Sequence, residues 1–321
     1  MSLPEELRQS LTLISEIVDR GERAATYRAL TSGSLRRLHP GVHTPSARLH
    51  GLGRDELHLL RVLAVRSRLH RLDVLSHWSA AALWGLPSVD PWPDAVHSTV
   101  PASSMLATTR SLRRHRARRG PGEVCERLDL PVTSLARTIV DIATTSPFPA
   151  AVAAADAALF SVAHSAHPGQ TLESFGAELN GELADLGAGP GSARARRVID
   201  FADERADRPG ESLSRVLIRS LGAPAPELQF EVVGVSGRTW HTDFGWPEFG
   251  AVAEFDGRAK YTDARYLAGR SPAEVVYDEK LREDDIRPRV RAFGRWDWRT
   301  ARSQDRMRAA ITRLGVPCAR D

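Results

Sequence analysis

Apolar side chains recur at two periods along this chain, and the switch between them divides it. Over residues 3–20, Leu7, Leu11, Ile14 and Val18 fall at helical spacing, and Gly21 is expected to end that helix. A short second helix over residues 22–30 follows, and then residues 35–44 alternate towards His39-Pro40-Gly41 as an extended hairpin. This helix, turn, helix, hairpin order is the outline of a winged helix. Residues 56–68 predict a helix, followed by the segment 72–76 and a second helix over 79–84 ended by Gly85, and residues 95–100 and 128–132 are strand-like. From residue 134 to 208 the chain is Ala-rich and helical, punctuated by Pro and Gly.

After Gly210 the pattern becomes α-β-β-β-α-β-α. A helix is expected over residues 212–221, and a hairpin over 229–235 and 238–246 that turns at Ser236-Gly237. Residues 251–255, Ala-Val-Ala-Glu-Phe, are nearly all apolar, which predicts a central strand buried on both faces. A charged helix over 274–287, a strand over 290–293 and a last helix over 300–314 complete the segment. The expected fold class is therefore α+β and multidomain. A winged helix (1–50) leads to a small α+β domain (51–145) and a helical connector (146–208), and the last domain (209–321) is α/β with a mixed central sheet.

Composition adds a direction of charge. Residues 1–120 hold 18 Arg against 10 acidic residues, leaving 26 basic and 30 acidic beyond, so a polyanion meets the front of the protein first. Arg23 and Arg28 on the second helix and Arg36 and Arg37 on the hairpin are candidate DNA contacts. So are Arg113, Arg114, Arg116, Arg118 and Arg119, a run read as a loop or exposed edge, for which solvation alone is an equal reading. Cys125 and Cys318 are far apart and form no metal or disulfide pattern. His164 and His167 lack carboxylate or Cys partners nearby and read as a surface turn. No stretch is long and apolar enough to span a membrane and no leader opens the sequence, so a cytoplasmic address is expected.

The chemistry concentrates late in the chain. Asp243 closes one hairpin strand and Glu254 the next, so adjacent strands bring two carboxylates to one sheet edge, where they would hold Mg²⁺ (or Mn²⁺) against a phosphodiester. Asp256 is a third candidate ligand. Glu254 ends an apolar strand, where a carboxylate is costly unless paired or metal-bound; a salt bridge to Arg258 is the structural alternative. The only two lysines, Lys260 and Lys280, lie in the same segment, and Lys260 follows the Asp256-Gly257 turn, where an ammonium could orient the attacking water.

Asp243-Phe244-Gly245-Trp246-Pro247, Glu254-Phe255-Asp256-Gly257-Arg258-Ala259-Lys260-Tyr261 and Glu279-Lys280-Leu281-Arg282-Glu283-Asp284 together resemble the nuclease-like domain related to very-short-patch-repair endonucleases, within the PD-(D/E)XK (restriction-endonuclease-like) superfamily. The resemblance covers about residues 209–314. It implies Mg²⁺-dependent DNA cleavage and adds Glu211, on the opening helix, to the catalytic set of Asp243, Glu254, Lys260 and Lys280. One departure stands out: the superfamily places Lys two residues after the glutamate, and here that residue is Asp256. The lysine must then come from Lys260 or Lys280, and if neither reaches, the domain binds DNA without cutting it.

The front end, through Arg36-Arg37-Leu38-His39-Pro40-Gly41-Val42, residues 75–87 and residues 131–141, resembles the AbiEi-type antitoxin of type IV toxin-antitoxin systems. That implies a DNA-binding, autoregulatory module with a cognate toxin as partner. Three functions follow: a metal-dependent DNA endonuclease, a non-catalytic DNA-binding regulator or antitoxin, and, least favoured, an RNA-processing enzyme.

Overall fold

The computed structural model describes residues 3–14, 17, 19–117, 124–257 and 272–319. It is α+β, with helices around three sheets, and the chain divides into two compact units, residues 1–146 with 173–199 and residues 147–172 with 200–321. Among the described residues no helix is long and apolar enough to cross a membrane.

The first unit opens with α1 (Leu3–Gln9), β1 (Thr12–Leu13), α2 (Arg20–Thr31), β2 (Leu35–His39) and β3 (Val42–Pro45). The single helix expected over 3–20 is thus a helix followed by a strand. The Ser10 hydroxyl donates to Leu7 O at 2.7 Å, and Thr12 and Leu13 then pair with His43 and Val42. Leu7 and Leu11 still pack against the core, so the apolar pattern is obeyed by two elements rather than one. Gly21 lies inside α2 and does not end a helix, because Asp19 starts one by accepting the Glu22 N–H at 2.9 Å. The small sheet has the order β1-β3-β2.

A second layer follows without a break in the core: α3 (Arg54–Ala64), β4 (Val74–Leu75), α4 (His77–Trp84), β5 (Val96–Pro101), β6 (Leu112–Ala117), β7 (Val124–Arg127), β8 (Leu130–Thr133) and α5 (Leu135–Thr145). Gly85, at φ +75°, closes α4 by donating to Ala81 O and Ala82 O. Leu7 from α1, Leu60 and Leu63 from α3, Leu75 from β4 and Val132 from β8 share one apolar cluster, so segments 1–50 and 51–145 fold around a common core. The mixed sheet has the order β6-β5-β4-β8-β7, which puts the arginine-rich β6 on an edge. Helices α7 (Leu172–Leu186) and most of α8 (Ser192–Phe201) belong to this unit, whereas α6 (Phe148–Ala163) belongs to the other, so the helical stretch 146–208 is shared between the two. His164 and His167 lie at the turn after α6, bonded to Phe160 O and the Ser161 hydroxyl.

The second unit is a three-layer arrangement. Its sheet, β9 (Glu227–Val233), β10 (Thr239–Trp246), β11 (Ala251–Phe255) and β12 (Ala292–Trp296), has the order β12-β11-β10-β9, with β11 parallel to β12 and the other pairs antiparallel. All five residues of β11 are buried, as the apolar run predicts for an inner strand. Phe244, Trp246, Phe255 and Trp296 are buried in the core, with Ile218 of α9 (Pro209–Ser220) and Met307 and Ile311 of the last helix. On the other face Val232 and Val252 meet Ile286 of α10 (Pro272–Ile286). The expected last helix is two, α11 (Trp298–Ala301) and α12 (Gln304–Arg313), because Asp297 and Ser303 each cap a new start.

One buried ion pair ties α6 to α9. Arg215 donates to Asp156 at 2.8 Å and to Phe201 O at 2.7 Å, and Asp156 also accepts the Asp203 N–H at 2.8 Å. Removing one partner strands the other charge in the core. Arg215→Met is expected to destabilise the second unit by about 3–5 kcal/mol. Urea unfolding read by far-UV dichroism checks this, and a midpoint equal to that of the parent would refute it.

Candidate functional site

Three consecutive features of α9 place the carboxylates of the second unit. Gly210 packs so close to the Phe255 ring that a Cβ there would come within 2.0 Å of it, so only glycine lets the helix approach β11. Ser214 accepts the Trp296 indole N–H at 2.9 Å, fixing the helix against β12 as well. Between them Glu211 is 2% exposed, and its Oε2 has no hydrogen-bond partner. Burial, then the nearby charges of Asp243 and Asp207, push the Glu211 carboxyl up to about 9, with Arg208 opposing. Burial beside a second carboxylate thus makes the Glu211–Asp243 pair hold a proton well above the ordinary carboxylate range.

The register of β10 against β11 pairs Phe244 with Ala253, and continued by one residue it sets Asp243 opposite Glu254. Asp243 Oδ2 accepts the Phe255 N–H at 2.7 Å, which holds the ends of the two strands together. Glu254 is 6% exposed and paired twice, with Arg282 of α10 at 2.6 Å and Arg295 of β12 at 3.0 Å. The salt-bridge alternative for Glu254 is thus realised, by two arginines distant in sequence; Arg258 lies outside the described residues. Asp256 has a buried Oδ1 without a hydrogen bond.

The acidic face of α10 finds its partners by the same logic. Glu279 and Glu283 approach Arg295, and Asp285 accepts from Ser236 N, the Ser236 hydroxyl and the Trp240 indole, capping the β9–β10 turn. Those hydrogen bonds hold the Asp285 carboxyl below its ordinary range.

Glu211 and Asp243 are therefore brought together, Glu254 is engaged by arginines, and Lys280 is exposed on α10. Lys260 lies outside the described residues. Among the described residues the carboxyl groups of Asp243, Glu254 and Asp256 do not form a three-ligand group tight enough for a metal ion. Arg282 and Arg295 supply the cations that face Glu254. Their role was invisible in the sequence, where nothing marks them among 42 arginines.

In the first unit, α2 has no buried residue over its twelve positions, and Arg20, Arg23 and Arg28 are exposed along it with Tyr27. Arg36 and Arg37 are exposed on β2. On β6, Arg113 is exposed, whereas Arg114 is bound to Asp73 by two 2.8 Å hydrogen bonds and Arg116 donates to Ser104 O at 3.0 Å. Arg114 is thus an internal structural cation and not a phosphate contact. Arg118 and Arg119 lie outside the described residues.

The acid at Glu211 has a measurable signature. Its folded-state value of about 9 lies above the ordinary 4.5, so the stability it contributes is full below pH 4.5 and is lost as pH rises towards 9. Glu211→Gln, which keeps the shape and cannot ionise, is expected to raise the thermal midpoint at pH 9 relative to the parent and to match it near pH 4. Calorimetric scans across that range test this; a variant that gains nothing at high pH would show that Glu211 is not held neutral.

No family model matches the chain. Two relatives from Mycobacterium tuberculosis do align with it, "Uncharacterized protein Rv2248" of strain ATCC 25618 / H37Rv and "Uncharacterized protein MT2308" of strain CDC 1551 / Oshkosh. Each is 31% identical over 246 residues, covering 72% of this chain and 81% of the relative. That length exceeds either compact unit, so the similarity extends over parts of both. The chain belongs to the family of these mycobacterial proteins.

Proposed function

We propose that this protein binds duplex DNA through α2 and the β2–β3 hairpin of its first unit, as a regulator of the antitoxin type. The observation that carries this reading is α2 itself. A helix normally offsets the cost of ordering by burying an apolar stripe; this one buries none and instead exposes Arg20, Arg23, Arg28 and Tyr27. The order α1, β1, α2, β2, β3 supports a winged-helix reading, in which α2 would enter the major groove with Arg36 and Arg37 on the wing beside it. The second unit supplies a further cationic surface: Arg287, Arg291 and Arg313 line a groove of about 430 Å³ along the outer edge of β12. A backbone of phosphates fits both.

Binding without cleavage is favoured by the pairing of Glu254 with Arg282 and Arg295 and by the exposure of Lys280. Metal-dependent endonuclease activity is the second reading, and one observation favours it: the neutral, buried Glu211 beside Asp243 is an acid that a Mg²⁺ or Mn²⁺ ion would ionise on arrival, with Glu254 released from its arginines and Asp256 adding an oxygen. In such a site Asp243 and Glu211 would hold the ion against the scissile phosphate, and the ion would lower the pKa of the attacking water.

Two measurements separate these readings. In fluorescence anisotropy with duplex DNA, the Arg23→Ala, Arg28→Ala double variant is expected to bind more weakly, and the slope of log affinity against log salt is expected to fall by about 2. An unchanged slope would remove α2 from the interface. Incubation of supercoiled DNA with the parent protein and Mg²⁺ or Mn²⁺ is expected to leave it intact. Nicking that disappears in the Glu211→Ala, Asp243→Ala variant would establish the endonuclease instead.

A further inference from the structure

The first unit contains a second set of chemistry-bearing side chains that the DNA-binding reading does not use. His77 is the first residue of α4, His97 lies on β5 and His115 on the edge strand β6, and one ring nitrogen from each falls within 4.8 Å of the other two. His97 Nδ1 and His115 Nε2 are 3.3 Å apart. Tetrahedral coordination with metal–nitrogen bonds of about 2.0–2.1 Å puts ligand nitrogens about 3.3–3.4 Å apart, so this pair already has the spacing of one edge of such a site.

We propose that His77, His97 and His115 bind a borderline transition-metal dication, Zn²⁺ foremost, with a fourth position open to water. Three imidazoles without a thiolate select for the zinc, cobalt, nickel and copper group and against Mg²⁺ and Ca²⁺, which take oxygen. A neutral imidazole offers one ring nitrogen as a lone pair and carries its proton on the other, so in the hydrogen-bonded His97–His115 pair one ring changes tautomer when both nitrogens take the metal.

The surroundings fit the assignment. His77 Nδ1 is 2.9 Å from the Ser76 hydroxyl and 3.8 Å from Asp141 Oδ2, which has no hydrogen bond of its own. Partners on Nδ1 leave Nε2 to face the metal, the usual outer support of a metal-bound histidine. His77 reaches this place with φ at +53°, a left-handed conformation that non-glycine residues rarely adopt. The His97 N–H donates to the Ser79 hydroxyl at 2.8 Å, tying β5 to α4. The charges facing the cluster are Arg113 and Arg137 against Asp141, and Arg137 is itself bound to Asp141 and Glu182. His58 is the remaining titratable neighbour, stacked on Trp92.

One rearrangement is required. The His77 and His115 rings are stacked at 3.8 Å with an angle of 18°, and parallel rings cannot aim two lone pairs at one point. His77 must therefore turn out of the stack on loading, which leaves the His97–His115 edge as it stands.

The test uses the full-length, tag-free protein. After incubation with Zn²⁺ and removal of excess by gel filtration, elemental analysis is expected to find one zinc per chain, unaffected by a large excess of Mg²⁺. Co²⁺ in its place is expected to give the intense visible absorption of a tetrahedral nitrogen site. The volume-conserving variants His97→Gln and His115→Gln, checked for native far-UV dichroism, are expected to lose both signals, while Asp243→Ala keeps them. No zinc retained by the parent protein, or equal retention in the two variants, would overturn the site; the parent protein's cobalt spectrum decides the matter if either variant fails to fold.

Discussion

Helix α9 is held at three points along two turns, and what the second unit can do follows from that. Gly210 abuts the Phe255 ring, Ser214 takes the Trp296 indole N–H, and Arg215 runs back to Asp156 on α6. Each contact joins α9 to a different element, so the helix can neither slide nor roll without breaking a buried interaction. Glu211 lies between the first two points and has no freedom to leave Asp243 or reach water. The upward shift of its pKa is thus a consequence of packing: the helix is placed for the core, and the carboxyl at that position accepts the environment it finds.

The sheet of the second unit solves a related problem in the opposite way. Glu254 ends a strand whose every residue is buried, and it stays charged-partnered because α10 and β12 each deliver an arginine to it. Two carboxylates one helix and one strand apart therefore meet burial differently, one next to like charge and one between opposite charges. A cation arriving at Glu211 and Asp243 would meet an acid able to release a proton, whereas at Glu254 it would have to displace guanidinium groups.

How much of this the sequence disclosed depends on how local each feature is. The α-β-β-β-α-β-α order after Gly210, the inner position of β11 and the cross-strand placement of Asp243 and Glu254 follow from hydrophobic period and strand length, which neighbouring residues determine. The break after Gln9 is not legible in the sequence, because Leu7 and Leu11 suit a helix face and a helix-then-strand equally well. The arginine partners of Glu254 come from 28 and 41 residues away, and no spacing rule reaches that far. The histidine cluster is the extreme case: His77, His97 and His115 stand on three elements that only the parallel pairing of β5 with β6 and the fold of α4 over them bring together. His164 and His167, near each other in the chain but without carboxylate or Cys partners, read from the sequence as a surface turn, and the fold leaves them at one.

The absence of any buried side chain on α2 has a consequence for how such a protein changes over generations. Most helical surfaces are constrained on one side by the core they cover, so substitutions that alter recognition are filtered first by whether the domain still folds. Here the core of the first unit is built by α1, α3, α4 and the five-stranded sheet, and α2 needs from its own sequence only the Asp19 cap and helix-compatible residues. Its outward face can therefore be rewritten residue by residue at almost no cost in stability, so the chemistry it exposes can drift while the scaffold stays fixed.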